Sequence, residues 1–180
     1  MSLGNLVIKR STRSKGIRIA VHVDGAVVVT ASTLLSEHKI TEFVEKHTDW
    51  IQNKVQKASR RTVLRISKGD IADLKIQARD IAAARLEYFN KHYRYKYKTI
   101  RIGAQKSRRG SCYSGTGTIS FNYKIAVLPL HLADYIIVHE LCHLGEMNHS
   151  KRFWDLVVQT IPDYMACRKE LRNVVVSVAP

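Results

Sequence analysis

Leu132-Ala133-Asp134-Tyr135-Ile136-Ile137-Val138-His139-Glu140-Leu141-Cys142-His143-Leu144 is the stretch on which the reading of this chain turns. Apolar residues dominate it, Pro129 stands ahead as a helix opener and Gly145 follows near its stop, so the segment is predicted to be a helix. His139 and His143 are four positions apart, which places both imidazoles on one face, one turn apart, within reach of a single ion. Glu140 follows the first histidine and is angled beside that ion. A carboxylate held there can take a proton from an attacking water and later hand it to a leaving group. The bland alternatives are two core histidines with ordinary hydrogen bonds, or a metal site without catalysis.

Two histidines do not complete a catalytic zinc site, which commonly has three protein ligands and one open position. His149 lies six residues after His143, beyond Gly145, where the chain can leave the helix and turn back, and its side chain is the expected third ligand. Glu146 competes for that role or for a place behind it. One Zn2+ suits the nitrogen and oxygen donors, although manganese or iron can occupy a similar sphere. His131, two turns before His139, is a weaker candidate for the outer shell. Cys142 adjoins His143 and invites a thiol nucleophile, but consecutive helix residues point in different directions, so a small core cysteine is the expected reading.

Outward from this helix, the N-terminal part alternates. Leu6–Ile8, Ile17–Val23 and Ala26–Thr30 read as strands, and Asp24-Gly25 between the last two is a hairpin turn signal. From Ser36, an N-cap candidate, the positions Ile40, Phe43, Val44, His47, Trp50, Ile51 and Val55 follow one helical stripe. Arg60–Ser67 reads as a connector or short strand, and Asp70 is expected to cap a long helix that ends near Lys91 and His92. Strands are expected at Tyr97–Ala104, Thr118–Phe121 and Ile125–Leu128, and short helices after Ser150 and from Tyr164 to Leu171. Val174–Val178 is a terminal strand or tail. The fold class is α+β: a small sheet against the helix of His139, with an N-terminal β-hairpin and helix. The organisation expected is residues 1–68 as a hairpin-and-helix unit and residues 69–180 as the core.

Composition narrows the class. With 45% hydrophobic and 25% charged residues the chain reads as globular rather than disordered. No apolar run approaches the eighteen or so residues of a membrane span, and the opening residues lack the order of a secretory signal, so no membrane contact and cytoplasmic residence are expected. Three cysteines at unrelated spacings suggest neither a disulfide framework nor a cysteine zinc knuckle. The net charge of +15 is unevenly spread: residues 1–110 carry 24 basic and 9 acidic side chains, residues 111–180 six of each. Such a surface attracts RNA, DNA or nucleoprotein, or else is a solvated face that aids solubility. The interleaved Tyr93-Arg94-Tyr95-Lys96-Tyr97-Lys98 suits nucleic-acid stacking or a half-buried strand.

Ser107-Arg108-Arg109-Gly110-Ser111-Cys112, Ile119-Ser120-Phe121-Asn122, Val138–His143, Asn148-His149-Ser150 and Phe153-Trp154 together resemble the YgjP-like metallopeptidase family, the DUF45/WLM-related group, with further similarity to the SprT-like zinc proteases. The resemblance covers most of residues 5–172. It implies a zincin-like peptidase core with His139, His143 and His149 as ligands, Glu140 as catalytic base and a polypeptide substrate. Arg109 stands where the family's motif usually has an aromatic residue. The SprT-like relatives suggest substrates bound to DNA, a setting compatible with the basic N-terminal portion. Arg108, Tyr123 and Tyr164 are candidate oxyanion or substrate contacts, Tyr164 equally a packed residue, and Asp163 is a candidate to orient a ligand histidine. A strand near Ile119–Phe121 is expected to dock an extended peptide through backbone hydrogen bonds. The competing readings are a nucleic-acid-associated module with a structural zinc, and a hydrolase of non-peptide amides.

Overall fold

The alternation in Ile17–Val21 and the run Val27–Val29 form strands for the reason that predicts them: every second side chain faces one layer, and Val27, Val29 and Ala31 are fully buried there. The computed structural model describes residues 6–105 and 107–179, and its chain divides into two compact units, residues 1–63 and 64–180.

In the first unit, β1 (Leu6–Ser11) runs parallel to β3 (Val27–Ser32) and β2 (Ile17–Val21) antiparallel to it, in the order β1-β3-β2. The expected hairpin is β2–β3. Gly25 takes φ +86° at its turn, a conformation that suits glycine, and Asp24 Oδ1 accepts the Ala26 N–H at 3.0 Å. Ile40, Val44 and Ile51 cover the buried strand face. They do not belong to one helix, as the stripe suggests, but to two: α1 (Glu37–Lys46), capped by Ser36 accepting the Lys39 N–H, and α2 (Thr48–Ser59). The break is at His47, whose Nδ1 occupies the Phe43 carbonyl at 2.7 Å. The His47 N–H turns instead to the Val44 carbonyl at 3.1 Å. A side chain has taken the acceptor that a continuous helix would give to the backbone.

The second unit is built around two helices. α3 (Ile71–Tyr93) follows β4 (Thr62–Ile66) and buries Ala78, Ala82, Leu86 and Phe89. Asp70 stands at its N-cap position, but its carboxylate accepts the Ser67 N–H at 3.2 Å and caps nothing in the helix. Arg94, at φ +54°, ends the helix in the left-handed region, and Asn90 clasps Tyr95 through two 2.8 Å bonds. α4 (Leu130–Cys142) is apolar almost all round and buried almost all round, from Leu132 through Val138. Arg85 of α3 meets Asp134 of α4 in a bidentate pair, 2.6 and 2.7 Å.

Beside α4 lies a three-stranded sheet in the order β5-β7-β6. β5 (Thr99–Gly103) is parallel, and β6 (Gly110–Tyr113) antiparallel, to β7 (Thr118–Asn122). Ile119 and Phe121 are therefore on the central strand, hydrogen-bonded on both sides and fully buried, so the expected peptide-docking strand has no free edge; β6 does. The strand expected at Ile125–Leu128 is a 3-10 turn, Tyr123–Val127, started by Asn122 Oδ1 accepting the Lys124 N–H. Four apolar residues ahead of a proline carry too little period to choose between the two. α5 (Lys151–Val157) and α6 (Tyr164–Asn173) follow, and Val174–Val178 is a strand, β8, paired with β4. The architecture is mixed α+β. Among the described residues no helix is long and apolar enough to cross a membrane.

Candidate metal centre

The helix period does the first part of the assembly: His139 sits in the last turn of α4 and His143 at its C-cap. The chain leaves the helix at Gly145, whose N–H donates to the Cys142 carbonyl at 3.0 Å. A Cβ there would lie 2.7 Å from Cζ of Tyr95, so only a glycine lets the chain pass the tyrosine ring. The turn returns His149 to the face of α4. Its Nε2 stands 3.0 Å from His139 Nε2, and one ligand atom from each of His139, His143 and His149 lies within 4.8 Å of the others.

The three rings form a nearly equilateral triangle, with centroids 4.9, 4.9 and 4.8 Å apart. Phe153, fully buried, touches all three at 4.9, 4.5 and 4.8 Å and so sets their mutual positions. Two imidazoles on one tetrahedral ion, at about 2.0–2.1 Å each, hold their nitrogens about 3.3 Å apart, close to the separation of His139 and His149. The Nδ1 of His143 donates to the Glu146 carbonyl at 3.1 Å, which leaves the lone pair on its Nε2. His139 Nδ1 is buried and has no hydrogen-bond partner among the described residues. Burial, then the charges of His143, His149 and Arg168, holds His139 down to about 3; burial also lowers His143. Neutral imidazoles are what a divalent cation requires. The donor set fits one.

Glu140, one residue on, is 7% exposed and shares with His139 a cleft of about 210 Å³ that Arg108, Arg109, Gly110, Tyr135 and Leu171 also line. Burial pushes its carboxyl up to about 8, while Arg108 pulls the other way. The side chain fits against β6 because Gly110 has none: a Cβ there would be 2.6 Å from Glu140 Cγ.

Of the remaining candidates, Arg108 is exposed at this cleft. Tyr123 is only 4% exposed and packs in the core rather than lining the cleft, because the 3-10 turn carries its ring inward. Asp163 is exposed at the start of α6, where its main-chain carbonyl accepts the Ala166 and Cys167 N–H groups, and its carboxylate orients no histidine among the described residues. Tyr164 stacks on Trp154 at 4.8 Å, and Trp154 is 5.8 Å from His149, so Tyr164 is one ring removed from the triad. Glu146 is spent on the turn, its carbonyl taking His143 and its carboxylate the Asn148 N–H. His131 pairs with Glu170 at 2.9 Å on the surface. Cys142 is buried, its thiol pushed up to about 12 by burial.

Sequence reading missed two residues, Tyr135 and Gly110, and noted Arg109 only as a departure from the family motif. Tyr135 is buried, 5.9 Å from His139 ring to ring, and its i−4 spacing from that histidine was a usable signal. The clearance at Gly110 had no local signal. Arg109 lines the same cleft, and its Nη2 donates to the Leu171 and Val174 carbonyls at 2.8 and 3.1 Å, which joins the strand of Gly110 to the end of α6.

Residues 68–174 match the family described as YgjP-like, metallopeptidase domain. No curated protein sequence matches the chain. Among similar solved structures is the metallopeptidase zymogen abylysin of Pyrococcus abyssi, 25% identical, with 52% of this chain and 99% of that one covered and a TM-score of 0.44. The metallopeptidase zymogen jannalysin of Methanocaldococcus jannaschii is 24% identical over 53% and 91%, at 0.42. A Wss1 mutant from Saccharomyces cerevisiae is 16% identical over 59% and 93%, also at 0.42.

Proposed function

The chain belongs to the YgjP-like metallopeptidase family, and from that premise we propose that it is a zinc peptidase in which His139, His143 and His149 hold one Zn2+ and Glu140 is the general base. The observation that carries this reading is the imidazole triangle, with ligand atoms within 4.8 Å of one another and a buried carboxylate one residue from its first member. The peptidase core in this proposal is residues 69–180, and residues 1–68 are accessory.

When bound, the ion supplies Lewis acidity, polarising the scissile carbonyl and acidifying the attacking water. Glu140 accepts the proton of that water on a carboxylate oxygen and returns it to the departing amine nitrogen. Its buried site, shared with Gly110, limits the positions the carboxylate can take. The free edge of β6 offers backbone groups to an extended peptide, which makes binding tolerant of side-chain identity. Arg108 at the cleft is the substrate contact we assign; the positions of Tyr123 and Tyr164 support packing roles instead, and that of Asp163 the start of α6. The excess of basic residues before position 110 supports a nucleic-acid or nucleoprotein setting for its substrates.

The test is Glu140→Gln. The variant should fold, keep one zinc per chain by elemental analysis, and lose about 10²–10⁴-fold in hydrolysis of an unstructured polypeptide, the usual worth of a positioned acid–base group. Turnover equal to that of the parent enzyme rejects the base role, and failure of the parent to retain zinc rejects the site.

A further inference from the structure

The N-terminal unit carries an exposed aromatic cluster that shares no residue with the metal centre. Trp50 on α2 is 44% exposed, although the same helix has Ile51 to bury and does so completely. Its indole forms a wall of a surface cavity of about 220 Å³, with Ile19, Phe43 and His47 as the others. That volume is below the roughly 300–1,000 Å³ of pockets that enclose a drug-sized ligand, and is on the scale of one planar ring system. Phe43 and His47 lie 4.3 Å apart, ring to ring. Because His47 Nδ1 donates to the Phe43 carbonyl, Nε2 is left as an acceptor, and the Trp50 indole N–H is a donor with no partner among the described residues. A flat apolar cavity walled by one donor and one acceptor is suited to the face and edge of a nucleobase.

The surroundings supply the charge that a base brings with it. Trp50, Lys54 and Lys57 follow one another at helical spacing, about 6 and 10 Å along the axis from the tryptophan at 1.5 Å per residue. Lys54 Nζ is 5.5 Å from the centre of the Trp50 ring. Exposed Arg60 and Arg61 continue the positive charge beyond the helix end. Asp49 is the one acid of α2, and neither Lys54 nor Lys57 has an ion-pair partner among the described residues. Residues 1–63 carry 11 basic and 5 acidic side chains. Two like charges three residues apart beside an open aromatic cavity destabilise the free helix slightly, and an occupant carrying phosphates relieves that repulsion.

We propose that the cavity of Ile19, Phe43, His47 and Trp50, with Lys54 and Lys57 beside it, is a binding site for single-stranded nucleic acid, one base stacking on Trp50 and the neighbouring phosphates meeting the lysines. A duplex keeps its bases stacked on one another and has none to offer the cavity. The site extends the polyanion reading of the basic half of the chain and is independent of the metal site, so loss of hydrolysis and loss of binding are separable results.

The experiment titrates the full chain into labelled single-stranded DNA and RNA oligonucleotides by fluorescence anisotropy across a range of salt. W50L retains apolar bulk without the aromatic face, W50F retains the face, and K54A/K57A removes the charges. W50L should weaken binding about tenfold, the scale of one lost base–aromatic stack. It should leave the salt slope unchanged, while W50F, which keeps the aromatic face and loses the indole N–H, weakens binding less than W50L. K54A/K57A should reduce the slope of log K against log salt by about 1.4, from about 0.7 per phosphate contact on a single strand. The relative affinities of the DNA and RNA arms identify the strand chemistry. Equal binding by W50L and the parent overturns the proposal, as does preference for duplex, absence of binding at low salt, or equal affinity for polyglutamate with the same loss in W50L, which would make the site one for acidic peptides.

Discussion

A Cβ on Gly110 would stand 2.6 Å from both Cγ and Oε1 of Glu140, so β6 and α4 meet where only a glycine fits beneath the carboxylate. The three atoms nearest that Cβ all belong to Glu140, so Gly110→Ala should act on the carboxylate before it acts on the histidines. Overpacking of this kind costs about 1–3 kcal/mol. The expected result is a modestly lowered melting temperature, unchanged zinc affinity by chelator competition, and a loss of turnover approaching that of Glu140→Gln. Zinc affinity falling in parallel with turnover would show that the two halves of the site are not separable.

Phe153 touches all three imidazoles, so its removal should loosen the triangle without deleting a ligand. Phe153→Leu should lower zinc affinity, but less than His149→Ala, which takes away one of the three proposed ligands outright. Its intrinsic cost to the metal-free fold is about 1–2 kcal/mol. Chelator competition on the three proteins ranks them, and an affinity in Phe153→Leu equal to the parent's would show that α4 and the His149 turn hold the geometry unaided.

Arg85 and Asp134 tie α3 to the helix of the metal site, with side chains 26% and 12% exposed. Breaking a buried pair costs about 3–5 kcal/mol, and partial exposure of the arginine reduces the expectation to about 2–4 for Arg85→Met, which leaves Asp134 uncompensated. The double variant Arg85→Met/Asp134→Leu should recover part of that loss in urea unfolding. Strictly additive losses would show that the two groups do not act as a pair.

Cys112, on the edge strand, has its thiol pushed up to about 11 by burial and by the charge of Glu140. A raised thiol pKa means less thiolate at a given pH, here about a hundredth of that of an ordinary thiol at pH 8. Alkylation by iodoacetamide, followed at Cys112 by mass spectrometry, should be slow at pH 8 and accelerate tenfold per unit as pH rises towards 11. A rate midpoint near 9 would place the thiol in open water.

The centre of the site was legible because its signal is local. His139 and His143 face together through helix periodicity alone, and Pro129 and Gly145 mark the ends of that helix in the sequence. The hairpin of β2 and β3 was legible for the same reason, through Asp24-Gly25 and a period of two. Where a side chain competes with the backbone, local patterns misled: His47 splits a single apolar stripe into α1 and α2, and Asp70 spends its carboxylate on Ser67.

What the amino-acid sequence determined by itself is the pairing of two imidazoles and a carboxylate on one apolar helix, since an α-helix fixes the relative directions of residues one turn apart whatever surrounds it. The tertiary structure alone decided that β7 is the central strand and β6 an outer one, that His149 returns to within 3.0 Å of His139, and that Glu140 rests against a glycine thirty residues before it. Strand order, the closure of a loop and the clearance around a buried side chain depend on contacts between segments distant in the chain, and no period within one segment encodes them.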